Sequence, residues 1–157
     1  MSTVGRALIF LVGVLDTLAG AALLLVPEWF FETIGHFPPF NRHYLGDAGS
    51  FLLPIGVGLI VAASAPARHR PIIWLALAAS WIHAANHTFD ALANPGMGQA
   101  SPLDAANVIA VAIALTVGAF LVGALHVVGG PAGPSIGPAP AASAASATDP
   151  PATEARP

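Results

Sequence analysis

Four apolar stretches, residues 7–26, 44–65, 72–92 and 103–128, constrain this chain more than anything else in it. Each matches or exceeds the roughly 20 residues a helix needs to cross the hydrocarbon core of a bilayer. The charge inventory agrees. A water-soluble domain devotes about a quarter of its residues to Asp, Glu, Lys and Arg, and here the share is 8%, against 55% hydrophobic. So few charges do not coat a soluble globule, and so apolar a chain is the reverse of a disordered one. The expected fold is therefore all-α: a polytopic membrane protein with an up-down four-helix transmembrane bundle, its first partner the lipid bilayer.

Prolines mark the ends of the stretches. Pro27, Pro66, Pro71, Pro95 and Pro102 fall at or near boundaries, where a missing backbone donor does least harm. The first stretch has some signal-peptide character, with Arg6 ahead of it and Ala19-Gly20-Ala21 inside it. The apolar run continues to Trp29, Phe30 and Phe31, however, which suits an uncleaved span closed by an interfacial aromatic belt. The segment 27–43 is read as that belt or as a short re-entrant piece, with a lid over the polar residues as its functional variant. Residues 129–157 differ in kind: 23 of 29 are Ala, Pro, Gly or Ser, the composition of a disordered tail.

Topology rests on five arginines, there being no Lys. Arg68 and Arg70 lie in the turn between the second and third stretches and Arg6 leads the first, whereas the two other loops hold only Arg42. The positive-inside rule places that turn and both termini in the cytoplasm of a bacterial cell, in its inner (plasma) membrane. The bacterial source is suggested by the Arg-only, Ala/Gly/Pro-rich composition. No Cys is present, which removes thiolate metal sites, iron–sulfur clusters and Cys nucleophiles. Without a basic cluster the chain has no footprint for nucleic acid.

The polar residues inside the stretches fall in register. Asp47 and Asn107 lie about a turn below the outer ends of their spans, His87 and Asp90 approach that level from the third, and Asp16 and His83 lie nearer the midplane. With about 100° of rotation per residue, Ser80, His83, Asn86, His87 and Asp90 form one stripe of the third span, expected to look inward. Trp74, Leu77, Trp81, Ala85 and Leu92 form the opposite stripe, expected to look outward. Glycines and alanines on each span form ridges for close helix packing. Asp16, Asp47 and Asp90 have no Lys or Arg within any span, and an unpaired charge at that depth costs several kcal/mol. Their available partners are protons, water, a metal ion, or His43, His83 and His87.

His83 and His87 stand one helical turn apart, the spacing with which a helix contributes two metal ligands. His43 and Asp47 repeat that spacing on the neighbouring span. These four are the candidate ligands for a divalent ion, with Zn, Cu, Fe and Mn all acceptable to an N/O donor set. Asn86, Asp90, Asp16 and Asn107 would be the hydrogen-bonding groups behind them. Ala84 stands where the zinc-protease motif needs Glu. Haem between His43 and His87 would leave His83 unexplained, so a small ion is preferred. A structural hydrogen-bonded network and a proton-handling site remain open beside it. Ser50 and Ser80 lack a nucleophile elbow, and Gly56-Val57-Gly58 lies within a span rather than after a strand.

Arg6 ahead of the first span, the Gly13…Gly20 spacing closed by Pro27-Glu28-Trp29-Phe30, and Gly46, Gly56 and Gly58 give residues 1–65 a further property. With these features the chain resembles the small four-helix bacterial membrane proteins grouped as DoxX-like. That resemblance implies a four-helix fold and association with membrane redox complexes; Asp16 and the His83/His87 pair are not part of its pattern. The functional expectation is a buried His/Asp cluster in the extracytoplasmic half, binding a divalent metal or relaying protons for a redox or transport process. The alternative is a non-catalytic subunit or homo-oligomer whose polar residues only hold helices and partners together, with Trp74, Trp81 and Leu92 as its contact surface.

Overall fold

Helix formation follows the apolar stretches closely. A computed structural model describes residues 2–35, 39–93 and 102–125, the side chains of 102–104 excepted. It gives five helices in the order α1 (Thr3–Leu25), α2 (Pro27–Thr33), α3 (Arg42–Ser64), α4 (Arg70–Ala93) and α5 (Pro102–Leu121), with no strand among the described residues. All lie in one unit, Met1–Val127. The expectations placed on the 129–157 tail, on Pro95 and on residues 36–38 of the belt segment lie outside the described residues.

Local chemistry sets the helix ends. Ser2 caps α1 by accepting from the Gly5 amide, and Asn41 caps α3 by accepting from that of Tyr44. Pro27 opens α2 at a position where no donor is needed, and Glu28 sits in its first turn beside the positive end of the helix dipole. The segment expected as an interfacial belt thus contains a true short helix. The last span ends earlier than its apolar run to 128. Gly123 adopts φ 71°, and the Gly123 and Ala124 amides bond back to the Phe120 and Ala119 carbonyls. This reversed hydrogen-bond pair terminates a helix at a left-handed residue, a conformation glycine adopts without steric cost.

Two helices, α1 and α3, are long and apolar enough to cross a membrane. Helix α4 is as long, but Ser80, His83, Asn86, His87, Thr88 and Asp90 crowd its second half. Helix α5 offers a shorter apolar stretch, Ala105–Leu121.

The four long helices form two antiparallel pairs. The most extensive contact is α1 with α3, and α4 packs on α5; α1 also meets α5, while α3 and α4 touch least. Glycines make the first pair possible. A β-carbon on Gly20 would stand 2.5 Å from the Leu53 amide nitrogen, and one on Gly56 would collide with Thr17. Backbone therefore meets backbone along this seam. The two pairs join close to the 65–69 turn, hereafter the turn end. Gly5 and Gly118 bring α1 against α5 there, and Gly58 receives Ile72 of α4, whose Cγ2 lies 3.1 Å from where its β-carbon would be. The apolar core occupies that half: Ile9, Leu59, Ile73 and Leu115 are fully buried, with Ala62, Ala76 and Ala119 between them. Among the described residues the opposite half, the loop end, buries mainly small residues, Gly20, Gly49, Ala84 and Ala105, with Leu23 and Pro27.

Arginines close the turn end. Arg6 donates through Nε and Nη2 to the Ala63 and Ser64 carbonyls, at 2.8 and 2.9 Å, and Arg70 donates through Nη2 to the Gly123 carbonyl at 3.1 Å. Each guanidinium thus meets carbonyls at the C-terminal end of a neighbouring helix, where a cation also complements the dipole.

The two kinds of glycine should respond oppositely to substitution. Gly20→Leu should destabilise the protein by about 1–3 kcal/mol or more, as overpacking does. Gly46→Ala, with no atom within 4 Å of the added carbon, should be neutral or stabilise by up to about 1 kcal/mol through helix propensity. Unfolding in mild detergent followed by circular dichroism checks both.

Candidate functional site

The i, i+4 spacings do bring side chains together within each helix. On α3, His43 Nε2 lies 3.6 Å from Asp47 Oδ2, the two side chains 90% and 62% exposed. On α4 the His83 and His87 rings have centroids 4.6 Å apart at an interplanar angle of 52°, and Asn86 Nδ2 donates to Asp90 Oδ2 at 3.4 Å. The two pairs do not merge. Among the described residues no group of three or more His, Asp or Glu is placed to hold a metal ion.

Burial corrects the expected inward-facing cluster. No described polar or charged residue is buried. His43, Asp47, His83, Asn86 and Asn107 are exposed, while Asp16, His87 and Asp90 are half-buried. Helical periodicity explains the discrepancy on α4. Its buried line runs through Ile73, Leu77 and Ala84, and His83 and Asp90 lie roughly a quarter turn to one side at about 100° per residue. Trp74 and Trp81 lie a similar amount to the other side. Leu77, expected to face outward, is therefore core. The polar stripe is a flank, and which flank matters.

Ile72 identifies it. This residue packs on Gly58 of α3, and His83 follows it by eleven residues, three turns to within about 20°. Asp47 precedes Gly58 by eleven residues in the antiparallel partner. Starting from one contact, His83 and Asp47 thus lie at the same height, about 16 Å toward the loop end, on flanks that face each other. His87 and His43 each lie fifteen residues from the contact, at the rim of the same crevice. At that height both flanks are exposed, Asp47 on α3 and His83 on α4. Tyr44 and Phe51 share the α3 wall and are largely exposed; their helical spacing from Asp47 could have nominated them from sequence.

Asp16 belongs to a different surface. It continues the buried line Gly5, Ile9, Val12, Gly13 and Gly20 of α1, and is half-buried. It takes part in no hydrogen bond or ion pair among the described residues. Asn107 is exposed on α5. Neither is drawn into the His/Asp pairs.

The opposite flank of α4 is apolar. Trp81 Nε1 donates to Thr116 Oγ1 at 3.0 Å, joining α4 to α5. Trp81 also separates two open grooves of about 440 and 360 Å³, the first lined also by Ala85, Phe89 and Leu92, the second by Trp74, Ala78 and Leu125. The sequence offers no sign of the Trp81–Thr116 bond or of the two arginine caps, since each joins residues far apart in the chain.

Fold and surface together define an all-helical protein in which two of the described helices, α1 and α3, are long and apolar enough to cross a membrane, with ionisable side chains exposed on α3 and α4. No protein-family model, curated protein or solved structure matches the chain.

The crevice geometry predicts a simple cross-linking pattern in a chain that has no native Cys. With Gly58→Cys and Ile72→Cys combined, a disulfide should form readily under mild oxidation. With Asp47→Cys and His83→Cys combined, formation should be at least about tenfold slower, because the crevice is open at that height. Mobility on non-reducing gels reads the result.

Proposed function

We propose that this chain is a multi-pass integral membrane protein in which α1, α3, α4 and α5 all cross the bilayer. The crevice between α3 and α4 is its working site, open at the extracytoplasmic side and handling a small polar species, an ion or protons, for a redox or transport partner. The observation that carries this reading is the split of the bundle. Tight packing and the Arg caps lie at the turn end, while the imidazoles and carboxylates of α3 and α4 are exposed or half-buried toward the loop end. Polar side chains facing lipid would cost several kcal/mol, so a water-filled or ligand-filled opening accounts for them at least expense. Asp16, the half-buried carboxylate of α1, is the deepest polar group of that half. The arginines put the turn end in the cytoplasm by the positive-inside rule. The DoxX-like features of the first 65 residues point toward a redox setting.

The exposed Trp74, Trp81 and Leu92 face, with its two apolar grooves, supports a second reading. In it the chain is a subunit that meets another membrane protein through α4 and α5, and its polar residues serve packing alone.

Topology is the first test. In membrane vesicles, a membrane-impermeant maleimide should label single cysteines at Thr33 and Ala93 from the extracytoplasmic side, and one at Ala67 from the cytoplasmic side. All three positions are exposed. Labelling of positions 67 and 93 from the same side would show that α4 does not cross, and would refute the four-span arrangement.

A further inference from the structure

We propose that the loop ends of α3 and α4 close on one divalent transition-metal ion, bound by His83 and His87 from α4 and by Asp47 from α3, with His43 steadying the Asp47 carboxylate. The inference rests on the reading of the crevice as the working site and names its ligand and its movement.

The donors have the right chemistry and the right relative positions. Two imidazole nitrogens sharing a tetrahedral ion at 2.0–2.1 Å are roughly 3.3 Å apart. Rings with centroids 4.6 Å apart reach that separation by side-chain rotation alone. His83 and His87 are thus half of a site already assembled. A first-row ion needs at least one further protein ligand, and the group at the same height on the facing flank is Asp47, eleven residues beyond Gly58 as His83 is eleven beyond Ile72. The carboxylate lies beside the His43 imidazole at 3.6 Å, the arrangement by which a neighbouring group orients a metal-binding carboxylate. Two nitrogens and one oxygen suit Zn²⁺ and leave a fourth position for water or a substrate atom.

Assembly of the site requires the loop ends of α3 and α4 to approach each other, since no three of these groups are together among the described residues. Helix α3 is fixed to α1 by its glycine seam, and α4 is fixed to α5 through Trp81 and Arg70. The two pairs approach most closely at the turn end, through Gly5 with Gly118 and Gly58 with Ile72. Motion about those glycine contacts carries the loop ends together without disturbing the core. The ion supplies the attraction that the apolar surface there does not.

The test uses the full chain purified in mild detergent, stripped of metal and titrated with Zn²⁺. Nitroxides on Tyr44→Cys and Ala93→Cys report the loop ends, and a second pair on Val61→Cys and Leu75→Cys reports the turn end. Expected are one Zn²⁺ per chain, a shortened distance for the first pair and an unchanged distance for the second. His83→Ala, His87→Ala and Asp47→Ala should each weaken binding by at least about tenfold and abolish the shortening, and Asn107→Ala should do neither. Each variant's detergent unfolding curve establishes that it folds. Absence of Zn²⁺ binding at about 100 µM would overturn the proposal, as would binding with no change in distance. Half an ion per chain together with dimer formation would overturn it too, showing two His83/His87 pairs from separate copies sharing the metal. Because the titration is done in detergent, its failure leaves the labelling pattern of the four-span reading untouched, and the converse also holds.

Discussion

Close helix approach at glycine is the constraint on which this molecule depends. Where Gly20 and Gly56 remove side chains from the α1–α3 seam, backbone contacts backbone, and dispersion accumulates over a surface that larger residues would hold apart. The same device joins the two helix pairs, but near the turn end, at Gly5, Gly58 and Gly118. Everything distinctive about the loop end follows. Toward the loop end, side chains on the flanks that α3 and α4 turn to each other are exposed whatever their polarity. Phe51, 74% exposed on the crevice wall, is as uncovered as the ionisable residues around it.

Exposure of this kind has a different meaning in lipid than in water. An apolar side chain on the outer surface of a crossing helix needs no cover; in the proposed four-span arrangement Trp74, Leu75 and Ile82 of α4 would meet acyl chains. An imidazole or carboxylate at the same depth requires hydration, a partner or an ion. Three hydroxyls are satisfied locally: Thr17, Thr88 and Thr116 each donate to a carbonyl one turn back. The ionisable residues of α3 and α4 instead meet other side chains one turn away, His43 beside Asp47 and Asn86 donating to Asp90.

Much of this architecture was readable from residues alone, and the gaps have physical causes. The apolar runs and flanking prolines place α1, α3 and α4 within a few residues of their observed ends, because desolvation and the missing proline donor act locally. Helix α2 escaped that reading because Pro27-Glu28-Trp29-Phe30 serves equally as an aromatic belt and as a helix start. The His43/Asp47 and His83/His87 pairs were visible because i, i+4 adjacency is a property of one helix. Their burial was not, since periodicity gives directions about a helix's own axis and leaves unstated which direction faces a neighbour. Leu77 and His83 exchanged expected environments for that reason. One interhelical contact, Ile72 on Gly58, was enough to resolve it.

The cap formed by Arg6 also bears on the order of events during synthesis. Its acceptors, the Ala63 and Ser64 carbonyls, lie 57 and 58 residues further along the chain. In a polypeptide inserted from its N-terminus, the guanidinium therefore remains uncommitted while α1, α2 and most of α3 are being made. In the four-span arrangement proposed above, it would during that interval be a positive charge that favours keeping the N-terminus on the side of synthesis. When the end of α3 arrives, the same group becomes the latch that fastens the start of α1 to the end of α3.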